Sequence, residues 1–225
     1  MRKGALFLVA AFILFFTAGA SAADELETDT QKLSYIIGYQ IGQNLQQQKI
    51  ELDKQAFILA IEDALKQAPS RLSPEQAKAA MEAMQQQEQQ QRTELAEKNK
   101  SAGEDFLKAN KEKQGVVELD SGLQYRIIRQ GEGEKPAADD TVVVNYRGTL
   151  IDGTEFDSSY QRGQPVTFKV NGVIRGWQEA LQLMPVGSKW EVVVPPKLAY
   201  GPQGAGRLIG PNETLIFDIE LLEIK

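Results

Sequence analysis

The chain has 225 residues, 42% hydrophobic and 25% charged, with a formal net charge of -6 and neither His nor Cys. Without those two residue types, Ser-His-Asp catalysis, cysteine nucleophiles, disulfides and the usual zinc ligand sets are excluded. What remains is carboxylate, hydroxyl, lysine or binding-energy chemistry, and the acidic balance gives no electrostatic footprint for nucleic acid.

Arg2 and Lys3 precede an apolar stretch from Ala5 to Phe16, and the small residues Ala20, Ser21 and Ala22 follow. This is the pattern of a secretory signal over residues 1–22, cleaved after Ala22. The stretch is short for a membrane span, and an uncleaved anchor is the alternative. An exported chain without Cys folds independently of the redox state outside the cytoplasm.

Residues 23–72 carry two helical stripes. Leu33, Ile36, Ile37, Ile41 and Leu45 form the first; Phe57, Ile58, Ile61 and Leu65 form the second, after a break at which Asp53 is the N-cap. Gly38 and Gly42 lie four apart and share a helix face, where a second backbone can approach closely. Two helices of this length have too little core to stand alone. Either the rest of the chain or the same segment of a second chain must cover their stripes.

Ser73, Pro74 and Gln76 form an N-cap, a first helical residue and a capping box, opening a long helix over residues 73–114. About 40 residues at about 1.5 Å each make a rod on the order of 60 Å. Its apolar positions are sparse and interrupted by the run Gln85 to Gln91, in which only Glu88 is not Gln. The pattern is that of a solvated spacer arm rather than a coiled-coil seam, with Gly103 as a point of flexibility along it.

After Gly115 the period changes. Leu123, Tyr125 and Ile127 alternate with polar residues, as do Val142, Val144 and Tyr146, and then Leu215, Phe217, Ile219 and Leu221. Gly, Pro and Asp clusters separate these runs, and Gly176 to Met184 is the one good helix, stopped by Pro185 and Gly187. Residues 115–225 therefore read as an α+β domain, an antiparallel sheet wrapped on one short helix.

Aromatic and small residues gather in this domain: Val173 to Trp177, Leu198 to Gly201, Tyr146, Phe156, Asp157 and Phe217. They can line an apolar pocket that binds and bends a peptide without nucleophile or metal. Val144 to Gly148, Asp152 to Ser159, Val173 to Trp177, Ala199 to Gly201 and Asn212 to Glu220 resemble, in order and spacing, the FKBP-type peptidyl-prolyl isomerases. The resemblance is dense over Leu119 to Lys225. Lys32 to Tyr35, with Ile37 and Gly38, is similar to the N-terminal module of the macrophage infectivity potentiator (Mip) branch of that family.

The resemblance implies an FKBP-like fold behind an all-α dimerisation module and a long connecting helix. It also implies roles at individual positions. Tyr146, Phe156, Phe168, Trp177 and Phe217 would wall a proline pocket with Trp177 as its floor. Val173 and Ile174 would line an edge, with the Ile174 N–H donating to a ligand carbonyl and the Tyr200 hydroxyl to another. Asp157 would be a buried carboxylate close to the carbonyl before proline, and Leu208 and Ile209 would overhang the pocket. Val166 stands where many members carry Phe and Ala205 where some carry His, departures that bear on macrolide affinity and on the choice of flanking residues. The implied activity is isomerisation of X-Pro bonds with no cofactor and no metal. The implied partners are proline-containing unfolded chains, macrolide inhibitors and a second copy of the chain. The implied location is the periplasm, free or held at the outer membrane. A dimeric holdase chaperone that clasps unfolded chains is the second function class.

Overall fold

The computed structural model describes residues 26–47 and 50–225; the signal segment expected over residues 1–22 and its expected cleavage position lie outside the described residues. Two compact units divide at Arg71 and Leu72.

The first unit contains α1 (Asp29–Gln47) and α2 (Lys54–Leu65). Thr28 and Gln31 cap the start of α1 reciprocally: the Gln31 N–H donates to Thr28 Oγ1 at 3.1 Å, and the Thr28 N–H donates to Gln31 Oε1 at 2.9 Å. Asp53 is the N-cap of α2 and accepts the Ala56 N–H at 2.9 Å. Neither helix buries a residue. Leu33, Ile36 and Ile37 are each more than half exposed, so the apolar stripe of α1 stands open in the single chain.

The second unit opens with α3 (Pro74–Asn110), where the Ser73 and Gln76 capping box forms in full. A seven-stranded antiparallel sheet follows: β1 (Val116–Glu118), β2 (Gln124–Arg129), β3 (Thr141–Leu150), β4 (Glu155–Ser158), β5 (Val166–Lys169), β6 (Lys189–Val194) and β7 (Leu215–Ile224). The spatial order is β1-β2-β6-β7-β3-β4, with β5 also paired to β3. One face is covered by α4 (Arg175–Leu183), which buries Gly176, Trp177, Ala180 and Leu181. The fold is α+β, with an antiparallel sheet wrapped on one short helix.

The alternation along β3 and β7 fixes this core. Val142, Val144, Tyr146 and Leu150 point inward from β3, and Leu215, Phe217, Ile219 and Leu221 from β7. A β-strand sends successive side chains to opposite faces, so these positions share one surface. β2 departs from its expected pattern. The ladder to β6 shifts between Ile127 and Arg129, Ile127 is exposed, and Gln124 is fully buried instead. Gln124 accepts from Asn110 Nδ2 at 2.9 Å and donates to the Leu107 carbonyl at 2.9 Å and to Glu118 at 2.7 Å. A buried amide is tolerable when its groups are paired in this way. Here the pairing fastens the end of α3 to the sheet.

Helix α3 thus belongs to the same compact unit as the sheet, although the change of period at Gly115 suggests a boundary there. Gly103 is buried on α3, and a Cβ at that position would collide with Oγ1 of the buried Thr214. The residue that reads as a hinge is a point of close approach. Gly103→Ala is therefore expected to lower stability by about 1–3 kcal/mol, despite the gain of about 1 kcal/mol in helix propensity. Chemical denaturation of the two chains measures it, and a stability increase would mean that α3 does not dock at Thr214.

Candidate active site

The site grows from the start of α4. Ile174 is its N-cap, and the Ile174 carbonyl accepts the N–H groups of Trp177 and Gln178 at 3.0 and 3.1 Å. Gly176 faces the sheet so closely that a Cβ would lie 2.5 Å from Val194 Cγ1 and 3.2 Å from Leu123 Cδ1. A glycine is needed there for the first turn to press onto β6, and the next residue, Trp177, is buried in that turn. Trp177 is buried, and three rings stand edge-on to it: Tyr146 at 5.2 Å and 87°, Phe217 at 5.2 Å and 83°, and Phe168 at 5.8 Å and 86° between centroids. Phe156 stands edge-on to Phe217 at 5.6 Å. Edge-to-face contacts of this kind put the positive ring edge on the negative face, and each contributes roughly 0.5–1.5 kcal/mol beyond its buried area.

Above this floor lies a cavity of about 860 Å³. Tyr146, Phe156, Phe168 and Phe217 form its aromatic wall, and Val173 and Ile174 form one edge. Leu208 and Ile209 enter from the loop that follows Tyr200, together with Ala205. All eleven residues singled out in the sequence for this site meet in the one cavity. Val166 does not line it but packs against the core beneath.

The polar side is a fixed network. Strand β4 pairs with β3 so that Asp157 lies opposite Gly148, and the buried Ser159 locks the corner. Its Oγ accepts the Tyr146 N–H, and its own N–H donates to the Tyr146 carbonyl, both at 2.9 Å. The Tyr146 hydroxyl then donates to Asp157 Oδ2. Oδ1 of Asp157 accepts the Ser158 N–H at 2.9 Å and Arg162 Nη1 at 2.5 Å. Arg162 Nη2 donates to the Tyr146 hydroxyl at 2.7 Å, and its guanidinium lies 5.5 Å from the centre of the Tyr146 ring. Asp157 is half-buried rather than buried, with 40% of its side chain exposed.

Electrostatics follow from these contacts. Burial pushes the Asp157 carboxyl up, but the hydrogen bonds from Tyr146, Arg162 and Ser158, with the Arg162 charge, outweigh it and hold the pKa below its ordinary value. Burial and the bond to Asp157 push the Tyr146 hydroxyl up to about 12, against an opposing effect of Arg162. Tyr200, 41% exposed, is raised by burial and then by the negative charge of Asp157, whose field therefore reaches its hydroxyl. The site holds one permanent carboxylate and two neutral phenols, a poor set for moving protons at neutral pH and a good one for orienting a dipole.

The sequence did not single out Arg162, Gly172, Gly206 or Arg207 for this site. Arg162 lies five residues beyond Asp157, across the turn after β4, and no helical or strand period connects the two.

A family model described as "FKBP-type peptidyl-prolyl cis-trans isomerase" matches residues 132–222, and one described as "Domain amino terminal to FKBP-type peptidyl-prolyl isomerase" matches residues 30–127. The "Outer membrane protein MIP" of Legionella longbeachae is 50% identical over 210 residues, covering 92% of this chain and 90% of that protein. The chain belongs to the FKBP-type peptidyl-prolyl cis-trans isomerases. The "Peptidyl-prolyl cis-trans isomerase Mip" of Coxiella burnetii is 42% identical over 92% of this chain and 91% of its own length. The crystal structure of FkpA from Escherichia coli superposes with a TM-score of 0.65 at 38% identity, covering 89% of this chain and 98% of that one.

As an FKBP-type isomerase the chain turns X-Pro peptide bonds, whose barrier of about 18–20 kcal/mol reflects amide resonance. Within the network, the folded pKa of Asp157 is depressed. Its contribution to stability is therefore complete above the unfolded value and lost as pH falls through the lower folded one. NMR titration should place the Asp157 pKa below 3.8 in the natural chain and higher in Arg162→Ala. Equal values in the two chains would show that Arg162 does not hold the carboxylate.

Proposed function

We propose that this isomerase works outside the cytoplasm on proline-containing segments of unfolded secreted or envelope proteins, as a homodimer that also shelters its clients. The observation that carries the catalytic part is the well of edge-on rings over Trp177, with the ionised carboxylate of Asp157 at its rim. A proline ring enters the well, and the amide before it is withdrawn from water. Desolvation disfavours the planar, dipolar amide, and walls shaped to the twisted one stabilise the transition state more than the ground state. Asp157 orients the carbonyl dipole of the residue before proline. The Tyr200 hydroxyl and the Ile174 N–H donate to the flanking carbonyls. Rotation transfers no proton, so none of these groups acts as a base.

Support for the dimer lies in α1. Its stripe of Leu33, Ile36 and Ile37 is open in the single chain, and nothing lies within 4 Å of a Cβ built at Gly38 or Gly42. Open apolar faces of this kind on short helices call for a cover, and a second copy of the same stripe supplies one with closed symmetry. Two pockets on one assembly raise the effective concentration of a long client at the second pocket once the first is filled. The signal-like pattern of residues 1–22 supports export, and among the described residues no helix is long and apolar enough to cross a membrane. A non-catalytic holdase would use the same pocket. The ordered donors around Asp157 favour turnover.

Asp157→Ala should lower kcat/KM for a proline peptide about tenfold or more, and Tyr200→Phe by a smaller factor, with far-UV circular dichroism unchanged. Full rates in both would move the chemistry elsewhere. Sedimentation at micromolar concentration should give a dimer for the full chain and a monomer for Leu72–Lys225. That shorter chain should match the full chain on a short peptide and fall behind it on a long unfolded protein. A monomeric full chain, or equal performance on both substrates, would remove the case for the N-terminal unit.

A further inference from the structure

The residues of the loop between Gly201 and Asn212 are rich in glycine, and Gly201, Gly204 and Gly206 all have positive φ. Its middle closes on itself: the Ala205 N–H donates to the Ile209 carbonyl at 2.9 Å, and the Ile209 N–H donates back to the Ala205 carbonyl at 3.2 Å. The Asn212 N–H donates to the Gly201 carbonyl at 2.8 Å and joins the two ends. This pinched loop carries Ala205, Leu208 and Ile209 over the cavity. A glycine-rich segment gives up much conformational freedom on ordering, and its internal bonds fix its shape but not its place over the cavity, so contacts from outside the loop matter.

Helix α3 supplies that restraint. Arg92 Nη2 donates to the carbonyls of Pro202 at 3.1 Å and Gln203 at 2.7 Å, on the outgoing limb of the loop. Asn99 Nδ2 donates to the Pro211 carbonyl at 2.9 Å, on the returning limb, and Asn212 Nδ2 donates to the Ala96 carbonyl at 3.4 Å. Arg92, Ala96 and Asn99 are spaced four and three apart and so occupy one face of the helix. Gly210 sits against this face: a Cβ there would be 3.1 Å from Asn99 Nδ2 and 3.6 Å from Leu95. Among the described residues, the side-chain hydrogen bonds that tie this loop to another element run to α3. The far end of the helix is itself anchored, through Gly103 on Thr214 and Asn110 on Gln124.

We propose that Arg92 and Asn99 are positioning residues of the isomerase: α3 clamps both limbs of the 201–212 loop and so sets how tightly the pocket grips the residues flanking proline. Neither side chain is among those lining the cavity; both act through Leu208 and Ile209. The inference rests on the reading of the cavity as the proline site. It gives the long helix a role in each pocket separately, apart from any role as a spacer.

The test uses the full chain carrying Arg92→Ala, Asn99→Ala or both. Amide hydrogen exchange at Ala205 and Ile209, followed without substrate, should accelerate about tenfold in the double variant, with the sheet amides unchanged. KM for a proline peptide should rise about three- to tenfold while kcat changes by less than about twofold, because the lost contacts hold ground and transition states alike. Arg92→Lys should restore much of the affinity, since an ammonium can still donate to carbonyls at that position. Unchanged exchange in the loop would overturn the clamp, as would acceleration spread evenly over the sheet. Faster loop exchange with unaltered KM would overturn the coupling to the pocket. A Trp177→Ala chain assayed alongside separates the two levels: full activity there would sink the proline-site reading itself, whatever the loop does.

Discussion

Everything in the site depends on one packing constraint, the pressing of the first turn of α4 onto β6 at Gly176. No larger side chain fits between the helix and Val194. Trp177 is buried in that same turn, and rings from three different strands pack around it at nearly right angles. Tyr146 comes from β3, Phe168 from β5 and Phe217 from β7. These rings are brought together by the order of the strands, not by nearness in the chain. The pocket is the aromatic part of the core, left open on one side.

Its polar rim follows a different rule. Three donors converge on Asp157, so the carboxylate is ionised and oriented before any ligand arrives. Preorganised charge costs no reorientation during a reaction, and it gains force where water is excluded. For an amide rotation this is a sufficient inventory. A 10⁴-fold acceleration requires about 5.5 kcal/mol of selective stabilisation, within reach of a shaped apolar well and a few oriented dipoles. The lack of His in this chain is no handicap, since no proton has to move.

Much of this was legible in the sequence where a local rule applied. Ser73, Pro74 and Gln76 announced α3 because capping is written within four residues, and the alternation of β3 and β7 announced their buried faces. Strand β6 was harder to see. Val192, Val193 and Val194 are all buried, and a strand covered on both sides loses the period of two. Gln124 was hidden for a related reason: a polar residue in a strand reads as outward-facing unless its partners, Asn110 and the Leu107 carbonyl, are already known. Gly103 and Arg162 show the general limit. Each is defined by a contact with a distant segment or across a turn, Gly103 with Thr214 and Arg162 with Tyr146, and such contacts leave no period to read. Most of the pocket residues stood out as a gathering of aromatic and small residues, but their individual roles, and Phe168, Leu208 and Ile209, came from a family pattern, since one aromatic residue alone does not distinguish a wall from plain core.

Rotation of an amide in a desolvated, charge-ordered well involves no proton transfer. The solvent deuterium isotope effect on kcat/KM for a proline peptide tests it most directly. A ratio close to one is the predicted result. A ratio well above one would place a proton transfer in the rate-limiting step and would require one of the carboxyl or phenol groups to act as an acid or base.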